Sequence, residues 1–127
     1  MFEEDYIMRQ IREMVRMLLK LLFQMDLEED SEELLRGTKE NKVLRELLEM
    51  VDDGRINEAE NRVYELCEDG EMANLKVMLL FYDYLNGKSD EYLEECEFSR
   101  EELKEDMRDL LAGFGLSDMA EAFLRKA

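Results

Sequence analysis

Adjacent carboxylate pairs recur along this chain, Glu28-Glu29, Glu94-Glu95 and Glu101-Glu102 among them. Such pairs serve acid–base catalysis when burial raises the pKa of one partner. All three sit among further charged residues, so solvated helix faces are expected instead. Histidine, the commonest general base, is absent. Its absence also removes the Glu-x-x-His ligand pattern of di-iron carboxylate bundles. Cys67 and Cys96 are the two thiols. They make neither a disulfide framework nor, without histidine, a zinc site, and free thiols are expected. An acidic setting raises a thiol's pKa and suppresses the nucleophilic thiolate. No catalytic, cofactor-binding or metal residue is therefore assigned, and the chain is expected not to be an enzyme.

Two other spacings imitate ligand loops. Around Asp53-Gly54-Arg55-Ile56, the residues Gly54, Ile56 and Glu60 fall where a calcium loop has its glycine, its hydrophobic residue and its last acidic ligand. Val51 stands where a side-chain oxygen is required, and Glu49 replaces the opening aspartate, so the site is rejected. Gly113-Phe114-Gly115 has the first two glycines of a dinucleotide loop. It follows a helical pattern instead of a strand, and Asp118 takes the place of the third glycine.

The elements that would position these residues are helices. Proline is absent and Leu, Glu, Met, Arg and Lys dominate, which favours an all-α fold. Apolar residues make up 46%, enough for a core despite the charge. The first helix is read from about Glu3 to Asp26. Ile7, Ile11, Met14, Leu18, Leu21 and Met25 alternate at four and three residues, the spacing of a helix that packs lengthwise on others. Met8, Val15, Leu19 and Leu22 widen this seam beyond what one neighbour covers. The helix is thus central in a bundle or buried between subunits. On its opposite face Arg9, Arg12, Arg16 and Lys20 cluster with Glu13 and Gln24, a stripe expected to pair with acidic faces of the same or a second subunit.

Ser31 caps a short segment from Glu32 to Arg36, ended by Gly37. A helix follows from Lys39 to Val51, broken at Asp53-Gly54. Asn57 and Glu60 form the pattern of a capping box over a helix that buries Ala59, Val63 and Leu66. The most apolar later helix runs from Met72 to Leu85, with Leu75, Val77, Met78, Leu79, Phe81 and Tyr82 inward, and stops at Asn86-Gly87. A short helix from Ser89 to Cys96 comes next. Ser99 and Glu102 cap a helix to Ala112, and Ser117 caps the last. This makes a single all-α domain, 1–127, a bundle of about seven helices: a long N-terminal amphipathic helix (1–27), a hairpin region (39–96) and C-terminal helices (99–127).

The hairpin from Asn41 to Glu68 resembles a tetratricopeptide-type unit. Ala59 would be the close-contact residue and Gly54 the tight turn. An ordinary α-hairpin is the other reading. The chain as a whole resembles an uncharacterised family of small, acidic, all-helical bacterial proteins carrying a domain of unknown function. The resemblance is carried by Asp5-Tyr6-Ile7-Met8-Arg9-Gln10-Ile11, Asp53-Gly54-Arg55-Ile56-Asn57-Glu58-Ala59, and Phe81-Tyr82-Asp83-Tyr84-Leu85 with Ser89-Asp90-Glu91. It implies a bacterial source and a tetratricopeptide-like fold, and no activity.

The formal net charge is −17, from 17 basic and 34 acidic residues. Such a surface repels phosphate backbones and anionic headgroups, so neither nucleic acid nor membrane is an expected partner. The apolar run from Met17 to Phe23 is short, is broken by Lys20 and cannot span a bilayer. The acidic start, Met1-Phe2-Glu3-Glu4-Asp5, is unlike a signal peptide, and a cytoplasmic location is expected. The expected function is a non-enzymatic interaction or scaffold protein that self-associates, a dimer being favoured, through the seam of its first helix. Tyr64, Tyr82 and Tyr84 would stand near a groove for a partner peptide. The alternative is a small acidic regulatory or inhibitor protein that binds a basic partner.

Overall fold

The first helix stops where its backbone turns left-handed. In the computed structural model, which describes residues 2–26 and 40–124, α1 spans Phe2–Phe23. Gln24 has φ 54°. Its amide donates to the Lys20 carbonyl at 3.1 Å, and the Met25 amide reaches back to Leu19 at 3.1 Å. These bonds close a helix C-terminus when one residue turns left-handed. The apolar spacing runs on to Met25 and the expected helix reaches Asp26, but this turn ends it first. The expected segment Glu32 to Arg36 lies outside the described residues.

The hairpin is made of α2, Glu40–Asp52, and α3, Ile56–Leu66, which runs into a 3₁₀ turn over Cys67–Asp69. Gly54 joins them at φ 82°, a conformation that glycine adopts without steric cost. Next come α4, Met72–Asn86, the short α5, Asp90–Glu95, α6, Arg100–Gly113, and α7, Ser117–Leu124. Among the described residues there are seven α-helices and no strand. None of these helices is long and apolar enough to cross a membrane. Ser89 Oγ accepts from the Tyr92 amide and Ser99 Oγ from the Glu102 amide, both at 3.1 Å, so both serines cap as their positions predict. Ser117 is the first residue of α7 itself, one place inside the expected cap.

The core forms around α4. Leu75, Val77, Met78, Leu79, Leu80, Phe81, Tyr82 and Leu85 are all buried, on every side of the helix. Neighbours on several flanks are needed to achieve that. α1 and α2 both pack along α4, and α6 crosses it. α1 runs antiparallel to α4. Asn86 Nδ2 donates to the Met8 carbonyl at 3.0 Å at one end, and Lys76 Nζ stands 5.5 Å from the Phe23 ring at the other.

The wide apolar arc of α1 is filled from within the chain, by α4, α6 and α7. Ile7, Ile11, Met14 and Leu18 are at most 4% exposed, and Val15 and Leu19 are fully covered. Covered by their own chain, these side chains have the surroundings of a helix central in the bundle, the first of its two expected placements. Of the six seam residues only Leu21, at 54%, is open; Met25 is half-buried.

Arg100 ties the far end of α4 to the elements beyond it. It is 2% exposed. Its guanidinium donates to Asn86 Oδ1 at 3.2 Å, to the Asn86 carbonyl at 2.9 Å, to the Lys88 carbonyl and to Asp90. Carbonyls at a helix C-terminus lack intrahelical partners, and this one fork satisfies that of Asn86 and, just beyond the helix, that of Lys88.

Candidate functional site

One face of α3 carries a carboxylate into the core. Ile56, Ala59, Glu60 and Val63 share its buried side, and Glu60 is 7% exposed. Asn57 lies inside α3, whose N-cap position is held by Arg55 without a side-chain cap bond. The capping box expected of Asn57 and Glu60 is therefore not formed. Glu60 turns inward because Tyr82 of α4, itself fully buried, donates its hydroxyl to Glu60 Oε2 at 2.7 Å. The Tyr82 ring stands edge-on to Phe81, with centroids 5.0 Å apart.

α6 adds two more carboxylates. The Ser99 cap sets the register that places Glu102 and Asp106, one helical turn apart, on the same side. Carboxylate oxygens of Glu60, Glu102 and Asp106 all lie within 4.8 Å of one another. Tyr64 of α3 donates to Asp106 Oδ1 at 3.5 Å. Like charges this close, partly out of water, cannot all be ionised. Burial and a hydrogen bond to Asp106 raise Glu60 to about 9, against the opposing Tyr82 hydrogen bond. Burial and the Asp106 charge raise Glu102. Burial, then Asp106 and Asp109, push the Tyr64 hydroxyl far up. Among the described residues no ion pair is made by Glu60, Glu102, Asp106 or Asp109.

The arrangement holds a proton and leaves an excess of negative charge at its rim. Three clustered carboxylates can also approach a cation, but calcium takes about six to eight oxygens. Here Glu60 is already engaged by Tyr82 and Asp106. Of the adjacent acidic pairs read as solvated, Glu94-Glu95 is exposed, and Glu101-Glu102 is exposed with Glu102 leaning on the cluster. Glu28-Glu29 lies outside the described residues. Glu60 itself escapes a search for adjacent pairs. Its signal is the placing of Ile56, Ala59, Glu60 and Val63 at i, i+3, i+4 and i+7, which puts a charge on an apolar helix face.

The imitated calcium loop is a helix terminus. The Asp53 amide donates to Glu49, the Gly54 amide to Val51 and the Arg55 amide to Met50. Asp52 accepts from Tyr84 Oη at 2.7 Å and from Lys88 Nζ at 2.8 Å. Burial would raise the Asp52 carboxyl, but the Lys88 and Tyr84 hydrogen bonds outweigh it and hold the pKa low. Lys88 also stands over the Tyr84 and Tyr92 rings, 4.7 and 5.4 Å from their centroids. Tyr92 donates to the Val51 carbonyl. The hairpin turn is thereby locked to α4 and α5.

The outer face of the α2–α3 hairpin holds a groove of about 520 Å³, walled by Glu46, Glu49, Asp53, Arg55 and Arg62 among others. Arg62 pairs with Glu46 at 3.2 Å and Arg55 with Glu58 at 3.2 Å. Tyr64, Tyr82 and Tyr84 are not in its walls. They point to Asp106, Glu60 and Asp52 instead. Both thiols are free and half-buried, and burial with the Asp69 charge pushes Cys67 up to about 11.

No curated protein and no solved structure matches the chain. A model for a family of unknown function, DUF6483, matches residues 1–115. The match takes in α1 to α6, including every residue of the carboxylate cluster, and the chain belongs to that family.

Proposed function

We propose that the chain is a non-enzymatic protein-binding module whose α3–α6 face receives a basic segment of a partner protein. The observation that carries this reading is the uncompensated charge of Glu102, Asp106 and Asp109 around Tyr64, beside the proton-holding Glu60. A lysine or arginine placed there would let the shared proton leave and relieve the repulsion. It would also meet the half-buried ring of Tyr64. Rim charges are each worth about 0.2–1 kcal/mol, so several must act together and binding should weaken steeply with salt. The remaining acidic surface steers a basic partner toward the chain.

Cytoplasmic residence belongs to the same proposal and is supported by two free thiols in a reducing compartment's usual state. So does a tetratricopeptide-like origin of the α2–α3 hairpin, supported by the burial of Ala59 and the left-handed Gly54 at its turn.

Binding of a labelled oligo-lysine peptide tests the reading, at about 0.05 M and 0.5 M salt. A triple Glu102→Gln, Asp106→Asn, Asp109→Asn variant should bind about tenfold more weakly. The control, Glu91→Gln, Glu94→Gln, Glu95→Gln, removes as much charge from α5 and should change affinity less than about twofold. Equal losses in both would reduce the charge to a general solubilising role.

A further inference from the structure

Four cations stand in line on the outward face of α1. Arg9, Arg12, Arg16 and Lys20 are all exposed, and their spacing of three, four and four keeps them on one strip of the helix. At about 1.5 Å per residue the strip is about 16 Å long. Among the described residues none of the four makes an ion pair within 4 Å. Cations in this acidic molecule do not lack partners generally. Arg55, Arg62, Lys88, Arg100 and Arg108 all hold carboxylates of the same chain. Exposed Asp5 and Glu13 lie on or beside the strip. Asp83 of α4 lies beneath it, raised by burial against the charges of Arg12 and Arg16. The strip remains positive after all three are counted.

The α3–α6 seam is its counterpart. Exposed Glu102 and Asp109 are seven residues apart on α6, the separation of Arg9 and Arg16 on α1, about 10 Å or two turns. α1 spends its other sides on α4, α6 and α7, so one molecule cannot fold its own outward strip onto its own seam. We infer that the α1 strip docks on the α3–α6 seam of a second copy, a head-to-tail contact that rests on reading that seam as a binding surface. Guanidinium groups meet carboxylates in bidentate geometry. A lipid or nucleic-acid surface would press its phosphates against Glu13 and Asp5, whereas spaced carboxylates can be met in register. Repulsion between two chains of net charge −17 is screened beyond about 8–10 Å at physiological salt, so the contacts at close range decide. Head-to-tail contact gives rings or open chains according to whether its rotation closes.

Sedimentation velocity of the full chain at about 0.1 M salt tests this. Wild type should grow beyond the monomer with rising concentration. Arg9→Glu with Arg16→Glu, and separately Glu102→Lys with Asp109→Lys, should each hold the chain monomeric with unchanged circular dichroism. Mixing the two reversed variants should restore association, since each then meets its opposite charge. Wild type that stays monomeric while the seam still binds oligo-lysine overturns the inference alone. Failure of both overturns the reading beneath it as well. Phosphatidylserine vesicles or duplex DNA bound by a monomeric wild type, and lost on strip reversal, would assign the strip to an anionic surface instead.

Discussion

Tyr82 donates its hydroxyl to Glu60 at 2.7 Å inside the bundle, joining α4 to a carboxylate on the buried face of α3. A carboxyl in such a place is tolerated because it is hydrogen-bonded and protonated. Everything distinctive about the α3–α6 seam follows from that arrangement.

The first consequence is a pH-dependent stability. Glu60 titrates at about 9 in the fold against 4.5 ordinarily. Between those values the folded chain binds a proton that the unfolded chain has released. Its stabilising contribution is complete below the lower value and is lost as pH rises through the upper one. The chain has no histidine, so few other groups titrate between about pH 6 and 9. The urea midpoint should fall steadily across that range. In Glu60→Gln, which keeps the shape and an acceptor for Tyr82, it should stay nearly level across that range. A slope unaltered by the substitution would place the proton elsewhere.

Tyr82→Phe removes the donor and leaves the Glu60 oxygen buried without it. The expected cost is about 1–3 kcal/mol, read by chemical denaturation at pH 7. In a Glu60→Leu background the same change should cost less, because no acceptor is left there for the hydroxyl. Equal costs in the two backgrounds would mean that the hydroxyl does not act through Glu60.

Much of the fold is written locally, and the site is not. Ser89 and Ser99 announce their helices because a cap bond spans only three residues, and Gly54 marks its turn because few residues tolerate φ 82°. Glu60 follows Asn57 at a spacing that mimics a cap, and nothing nearby reveals that its partner is Tyr82, 22 residues on. Leu21 continues a spacing that Leu18 satisfies, yet its side chain emerges while Leu22, Phe23 and Met25 beyond it still pack on the core. Periodicity names a face of a helix; it does not say how much of the width of that face the neighbouring helices cover.

Arg100 should tolerate no replacement. Its fork holds Asn86 and the Lys88 carbonyl from a position only 2% exposed. Arg100→Lys supplies one compact ammonium where several separated acceptors are held, and should still lose most of the bonds. We expect about 3–5 kcal/mol for Arg100→Ala and nearly as much for Arg100→Lys. Hydrogen exchange should quicken first at the C-terminal turn of α4. A lysine variant as stable as wild type would show that charge alone suffices there.

Leu18 and Leu21 decide what the α1 seam is for. They occupy neighbouring turns of one apolar stripe, yet Leu18 is 1% exposed and Leu21 54%. If the stripe serves the chain's own core, Leu18→Ala should cost about 2–5 kcal/mol by opening a cavity. Leu21→Ala should stay within about 0.5 kcal/mol. Neither loss should depend on protein concentration, because the contacts removed are internal, whereas an interface would tie stability to association by mass action. Urea titrations of both variants and wild type at two concentrations a hundredfold apart provide the measurement. A Leu18→Ala deficit against wild type that changes with concentration would return the seam to the subunit interface and take the core assignment of α1 with it.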